Sequence, residues 1–221
     1  MGVIVNPRGT GGSGKTELVR RVLAEYGRIG GAEPIRREGR ERPIGHRLEH
    51  PFGGRPLAVL GHYGTASCGG CDTIPLRDGG LNEAFRLADG LAAAGHDVLL
   101  EGLFLSGEHR RTAELARGHA LHVLRLDAPL DLCVRNLAAR RRAGHGARPL
   151  IARTLAAQCE AVEDACAMLR RCGVDIEVLG FDAALRRTKE LLGLRPADAD
   201  GAPRGRPAGT AAIPWRAAAG W

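Results

Sequence analysis

The chain has 221 residues, 44% hydrophobic and 26% charged, with a formal net charge of +7. These are ordinary values for a soluble globular protein of one domain, long enough to need no disulfide staple. No apolar run approaches the ~20 residues that span a bilayer, and the start, MGVIVNPRG, lacks the charged region of a signal peptide, so the expected compartment is cytoplasmic.

In chain order, VIV (3–5) reads as a short buried strand. A glycine-rich stretch follows, then TELVRRVLAEYG, whose Leu18, Val22 and Leu23 recur at helical spacing. Residues 32–56 are rich in Arg, Pro, Gly and His, with a short strand at PIGHRLE expected to form a hairpin with a better strand at 57–61. TASCGGCDTIPLRDGG is a loop, and 81–95 an amphipathic helix. DVLLEG (97–102) is an apolar strand ending in a carboxylate. SGEHRRTAELARG reads as a helix capped by Ser106. A strand at 120–127, a helix over APLDLCVRNLAARRRAG, a long helix at 149–173, a strand at 174–180 and a final helix complete the pattern. Strands alternating with helices predict an α/β fold: five strands, mainly parallel, with helices on both faces. Residues 1–194 form the expected domain. Residues 195–221 read as a flexible Ala/Pro/Gly/Arg-rich tail carrying both tryptophans, Trp215 and Trp221.

The basic balance suits a polyanion, although a GC-rich coding sequence would produce the same arginine enrichment. Of 32 basic residues only Lys15 and Lys189 are lysine. Lys15 stands in GTGGSGKT (9–16), which fits G-x-x-x-x-G-K-[ST], the Walker A phosphate loop. Gly9, Gly11, Gly12, Ser13 and Gly14 would let backbone N–H groups wrap an anion that also meets a helix N-terminus. Lys15 would reach the β- and γ-phosphates of ATP, and Thr16 would offer its hydroxyl to Mg²⁺. A slim ammonium fits a tight loop where a planar fork does not, which accounts for a lysine here.

Glu101 ends its strand where a second acid would meet the Mg²⁺ shell; an ordinary strand-end acid is the alternative. The hhhhEG form resembles small P-loop kinases, of nucleoside- and nucleotide-kinase type. The run ending in Arg140, Arg141 and Arg142 resembles their arginine-bearing lid. That resemblance implies Arg135 against adenine and Arg140 or Arg142 clasping phosphates, with a plain solvated basic face as the competing reading. No N-K-x-D guanine box is present.

On the acceptor side, a kinase for an alcohol needs a carboxylate to orient the hydroxyl and take its proton. Asp72 is the candidate, a turn-forming or helix-capping role its alternative, and Asp78 its substitute. Tyr63, Thr65 and CGGC would shape the pocket. Cys68 and Cys71 make a single C-x-x-C, short of the four ligands of a closed zinc site even with His62 nearby. Cys133, Cys159, Cys166 and Cys172 read as small buried hydrophobes.

The run RERPIGHRLEH…RPLAVLGHYGTASCGGCDTI resembles bacteriophage-encoded P-loop kinases over residues 1–194. Members of that group phosphorylate 5-hydroxymethyluracil already in phage DNA. The resemblance implies an ATP-dependent kinase with DNA as partner, in the host cytoplasm. Arg36, Arg37, Arg40, Arg42, Arg47, Arg110 and Arg111 would hold the DNA backbone. A kinase of a free nucleotide or small alcohol, and a nucleotide-switched DNA-binding module, remain as alternatives.

Overall fold

The structure is a computed structural model that describes residues 2–27, 31–64 and 69–194. The expected tail at 195–221, Thr65 and Cys68 lie outside these residues.

The strands are β1 (Val3–Arg8), β2 (Glu33–Ile35), β3 (Gly45–Leu48), β4 (Leu57–Leu60), β5 (Asp97–Leu100), β6 (Ala120–Leu126) and β7 (Ile176–Leu179). The helices are α1 (Lys15–Tyr26), α2 (Gly80–Ala93), α3 (Leu103–Ser106), α4 (Arg110–Gly118), α5 (Leu130–Arg141), α6 (Arg148–Arg171) and α7 (Phe181–Leu191). One sheet runs β2-β3-β4-β5-β1-β6-β7. The expected five strands are therefore corrected to seven. Five of them, β4-β5-β1-β6-β7, pair in parallel, and β2 and β3 add an antiparallel edge. The strand expected at PIGHRLE and its hairpin with 57–61 are present as β3 and β4, and the three-residue β2 is hidden in a stretch whose Arg, Pro and Gly content breaks any period.

Alternation along each strand divides the core in two, because successive side chains point to opposite faces. Ile4, Ala58, Leu60, Val98 and Leu100 pack with Phe85, Ala88 and Leu91 of α2 and Val162, Cys166 and Leu169 of α6. Val5, Leu57, Val59 and Leu99 pack with Leu18, Val22 and Leu23 of α1 and Ala184 of α7. The two faces are thus covered by different helices, as parallel strands require. Strand β1 lies centrally between β5 and β6, and chain order runs away from it on both sides. In open α/β sheets that reversal opens a crevice at the carboxyl ends of the strands.

His46 of β3 sits 5% exposed against β4, in register with Val59. Burial, then His62 and Arg36, push its imidazole down to about 4. An imidazole held below its unfolded value near 6.5 contributes stability above that pH, and loses it as pH falls through the folded value. Urea midpoints at pH 7 and pH 4 should show the wild-type protein losing roughly 3 kcal/mol more than His46→Gln. Equal losses would refute this role for His46.

Candidate active site

The glycine-rich loop leaves the end of β1 and runs directly into α1. Gly12 has φ +81°, and a Cβ there would lie 2.4 Å from the Cys133 carbonyl oxygen on α5. Only glycine accepts both the left-handed backbone and that approach. Residues distant in sequence hold the loop's outer side. Gln158 of α6 accepts from Gly11 N at 3.0 Å, Asn136 of α5 donates to Gly12 O at 2.9 Å, and Ser106 Oγ accepts from Gly9 N at 3.3 Å. Ser13 Oγ donates to Thr10 O at 2.9 Å and closes the turn from within. Gly14 is the N-cap of α1 and supplies no side chain to its first N–H groups.

Lys15 opens α1 and is buried. Its Nζ donates to Gly9 O at 2.6 Å and Thr10 O at 2.9 Å. Burial pulls the ammonium below its usual pKa, and Arg140 adds to that, while Glu101 and Asp72 oppose it. The electrostatic coupling places Arg140 and Asp72 on the lysine's side of the molecule. Thr16 Oγ1 donates to Glu101 Oε1 at 3.0 Å, so the two expected metal-shell residues meet. Glu101 is 1% exposed, directly after β5. Burial raises its pKa, and Lys15 and the Thr16 hydroxyl hold it back.

The second motif is folded onto the first. A Cβ on Gly69 would lie 2.4 Å from Thr16 Cγ2. Gly70 has φ +73°, and a Cβ there would lie 2.3 Å from Glu101 O and 2.6 Å from its Oε1. Cys71 N donates to Glu101 O at 2.7 Å. The glycines of CGGC are thus close-approach residues, letting the acceptor segment touch both Thr16 and Glu101. Two residues on, Asp72 Oδ2 accepts from Leu103 N at 2.6 Å and Oδ1 from Phe104 N at 3.2 Å. Its carboxylate therefore caps the start of α3 and sits beside Glu101. The capping alternative for Asp72 is realised.

Several expected residues stand elsewhere. Asp78, the substitute base, is engaged by Arg40 at 3.0 Å. Arg40 also donates to Thr73 O at 3.3 Å, and Arg37 donates to Asp78 O. These arginines brace the acceptor loop, and Arg47 pairs with Glu33 at 3.4 Å. Arg36, Arg37, Arg42, Arg110 and Arg111 are exposed. Tyr63 is 3% exposed, packed in the core with its hydroxyl on Leu60 O at 3.2 Å, so it does not line an open pocket.

On α5, Cys133, Asn136, Leu137 and Arg140 share one face by helical spacing. That face meets the loop through Cys133 and Leu137, which lie against Gly12 and Gly11, and through Asn136. Arg135 occupies the opposite face, paired with Asp131 at 3.3 Å, and lines an open cavity of about 440 Å³ with Arg148 and Pro149 of α6. Arg142 is exposed just past α5, at φ +50°. Among the described cysteines, Cys71, Cys133 and Cys166 are buried thiols, Cys159 is half-buried and Cys172 is exposed, against its expected burial.

Sequence reasoning missed Arg8. At the end of β1 it is fully buried, donating to Asn6 Oδ1, Thr112 Oγ1 and the carbonyls of Ser106 and Glu108. Burial lowers its pKa to about 10, so it stays charged at neutral pH. It ties the root of the loop to α3 and α4. Ser106 is likewise not the cap of α4. Glu108 fills that role, accepting from Arg111 N at 2.8 Å and Thr112 N at 3.1 Å.

A carboxyl-edge site with a glycine cradle, a buried lysine and two carboxylates has the parts that phosphoryl transfer requires. No protein-family model matches the chain. A protein named 5-hmdU DNA kinase, from Pseudomonas phage PaMx11, is 37% identical over 191 residues, covering 86% of this chain and 96% of its own length. The chain belongs to that kinase family and is a phosphotransferase. Among the described residues, no helix is long and apolar enough to cross a membrane.

Proposed function

We propose that the protein is an ATP- and Mg²⁺-dependent P-loop kinase that phosphorylates the hydroxymethyl group of 5-hydroxymethyluracil in DNA. The observation that carries this reading is the direct packing of Gly69 and Gly70 on Thr16 and Glu101, which puts Asp72 beside the loop. The name of the phage relative supplies the acceptor. Exposed arginines near that segment suit a phosphate backbone.

The donor residues fit a triphosphate. Gly12 leaves room that a Cβ would fill, and the loop N–H groups and α1 N-terminus favour an anion. Lys15 and Arg140 supply positive charge where negative charge collects on the transferring group. Thr16 and Glu101 would hold Mg²⁺, whose contribution when bound is to neutralise charge on the phosphates. Asp72 orients the hydroxymethyl oxygen and accepts its proton. The oxygen–phosphorus bond to the acceptor forms as the γ-phosphorus bond to the ADP oxygen breaks. Arg135 lies on the far face of α5 from the loop, so the adenine role expected of it would be played from the open cavity there.

The test supplies γ-labelled ATP with DNA containing 5-hydroxymethyluracil, the free hydroxymethylated nucleotide, and unmodified DNA. Label is expected on the modified DNA alone. Label only on the nucleotide would establish a small-molecule kinase, and nucleotide-dependent DNA binding without a phosphorylated product a switch module. DNA affinity should also fall steeply with salt.

A further inference from the structure

Two large apolar side chains stand in water on the segments around Asp72, Phe104 next to its carboxylate through the backbone and Leu76 four residues further along the chain. Phe104 is 70% exposed and Leu76 91% exposed. The Phe104 backbone N–H is one of the two bound by the Asp72 carboxylate, at 3.2 Å. Helix α3 is four residues long, and its Leu105 and Ser106 are fully buried. Anchored from inside and capped by Asp72, the short helix presents the Phe104 ring outward in a fixed position. Phe52, the other strongly exposed phenylalanine among the described residues, has an edge contact with His50 at 6.0 Å.

The surroundings indicate what the ring meets. Exposed Arg110 and Arg111 follow on the same stretch of chain. Arg37 and Arg40 hold the loop bearing Leu76, and exposed Arg36 and Arg42 lie on the same connection as these two. An exposed ring with exposed arginines on its own stretch of chain and on the connection that braces the Asp72 segment suits a nucleic-acid strand, with charged phosphates outside and a base face within. A base stacked inside a duplex cannot bring its substituent to the half-buried Asp72 carboxylate at the root of α3, so it must leave the stack and find a new partner for its face.

We infer that Phe104 is the base-stacking residue of the acceptor site, its ring lying on the target pyrimidine while Asp72 engages the hydroxymethyl group. The inference rests on the proposed DNA acceptor. The ring touches the base and not the reacting atoms, so its effect falls on KM more than on kcat.

The experiment compares wild type with Phe104→Ala, Phe104→Leu and Phe104→Tyr. It measures transfer to single-stranded and duplex DNA containing 5-hydroxymethyluracil, and binding of single-stranded DNA at fixed salt by fluorescence anisotropy. Phe104→Ala is expected to lose roughly 5- to 150-fold in kcat/KM on both substrates, carried by KM, and a similar factor in strand affinity. Phe104→Tyr should restore both, and Phe104→Leu, apolar but without a π-face, should not. The melting temperature should not move, because the side chain is exposed.

Wild-type kinetics in Phe104→Ala, or rescue by leucine equal to that by tyrosine, would overturn the inference while leaving the kinase reading intact. If wild type transfers nothing to DNA, the DNA-acceptor reading fails. The assignment of Phe104 to the acceptor site falls with it: lost strand affinity in Phe104→Ala would then leave a strand-binding ring without an acceptor role, and unchanged affinity would reject stacking altogether.

Discussion

Lys15→Met is expected to lower phosphoryl transfer by at least ~10³-fold and leave the fold in place. The lysine is the cation seated inside the loop, and methionine keeps its length and apolar stem without the charge. Stability should change little, for a reason visible in the hydrogen bonds. Both carbonyls lose the lysine when Nζ is removed, but Thr10 O keeps Ser13 N at 3.3 Å and Ser13 Oγ at 2.9 Å, so the cost falls on Gly9 O. Removing a buried ammonium also relieves a desolvation cost, the main cause of its lowered pKa. Melting temperature should stay within ~4 °C of wild type. Retained transfer in Lys15→Met would dismiss the loop as the donor site.

Asp72→Asn is expected to lower kcat by roughly 10²- to 10⁴-fold with little change in KM for ATP. The substitution removes a proton acceptor and keeps one amide oxygen, which still accepts from Leu103 N or Phe104 N. Its NH₂ must then face the other N–H, so some loosening of α3 follows. The two roles of this residue separate in the measurements. Loss of kcat without a fall in melting temperature identifies the base. A fall in melting temperature with kcat near wild type would reduce Asp72 to a brace.

Much of this site was legible in the linear chain because its parts are local. The loop, Lys15 and Thr16 occupy eight consecutive residues, and Glu101 is marked by the apolar run before it. The parallel strands β4, β5, β6 and β7 match their expected positions within one or two residues, since β4 and most of β5 are apolar runs and β6 and β7 stay mostly apolar between turn residues. What was not legible depends on docking between distant segments. Asn136 and Gln158 reach the loop from 124 and 147 residues away. Gln158 did leave a signal: it stands on the stripe of Ile151, Leu155 and Val162, where a polar side chain needs a partner. Asn136, on an exposed stretch, left none. Arg135 and Arg140 are equally basic in sequence, and only the helical phase of α5 relative to the loop sends them to opposite sides. The acceptor glycines could be read as flexible. The packing shows that they are glycine because nothing larger fits.

That tight fit separates what can change in this enzyme from what cannot. Thr16, Glu101, Gly69 and Gly70 are in van der Waals contact through backbone and short side chains. A new substrate therefore cannot be accommodated by reshaping this partition without damaging the machinery behind it. The replaceable surface is the rim, at Leu76 and Phe104, where side chains project into solvent and carry no internal load. Descendants of this chain that accept a different alcohol should vary there first, and a laboratory library aimed at new acceptors belongs at the same two positions.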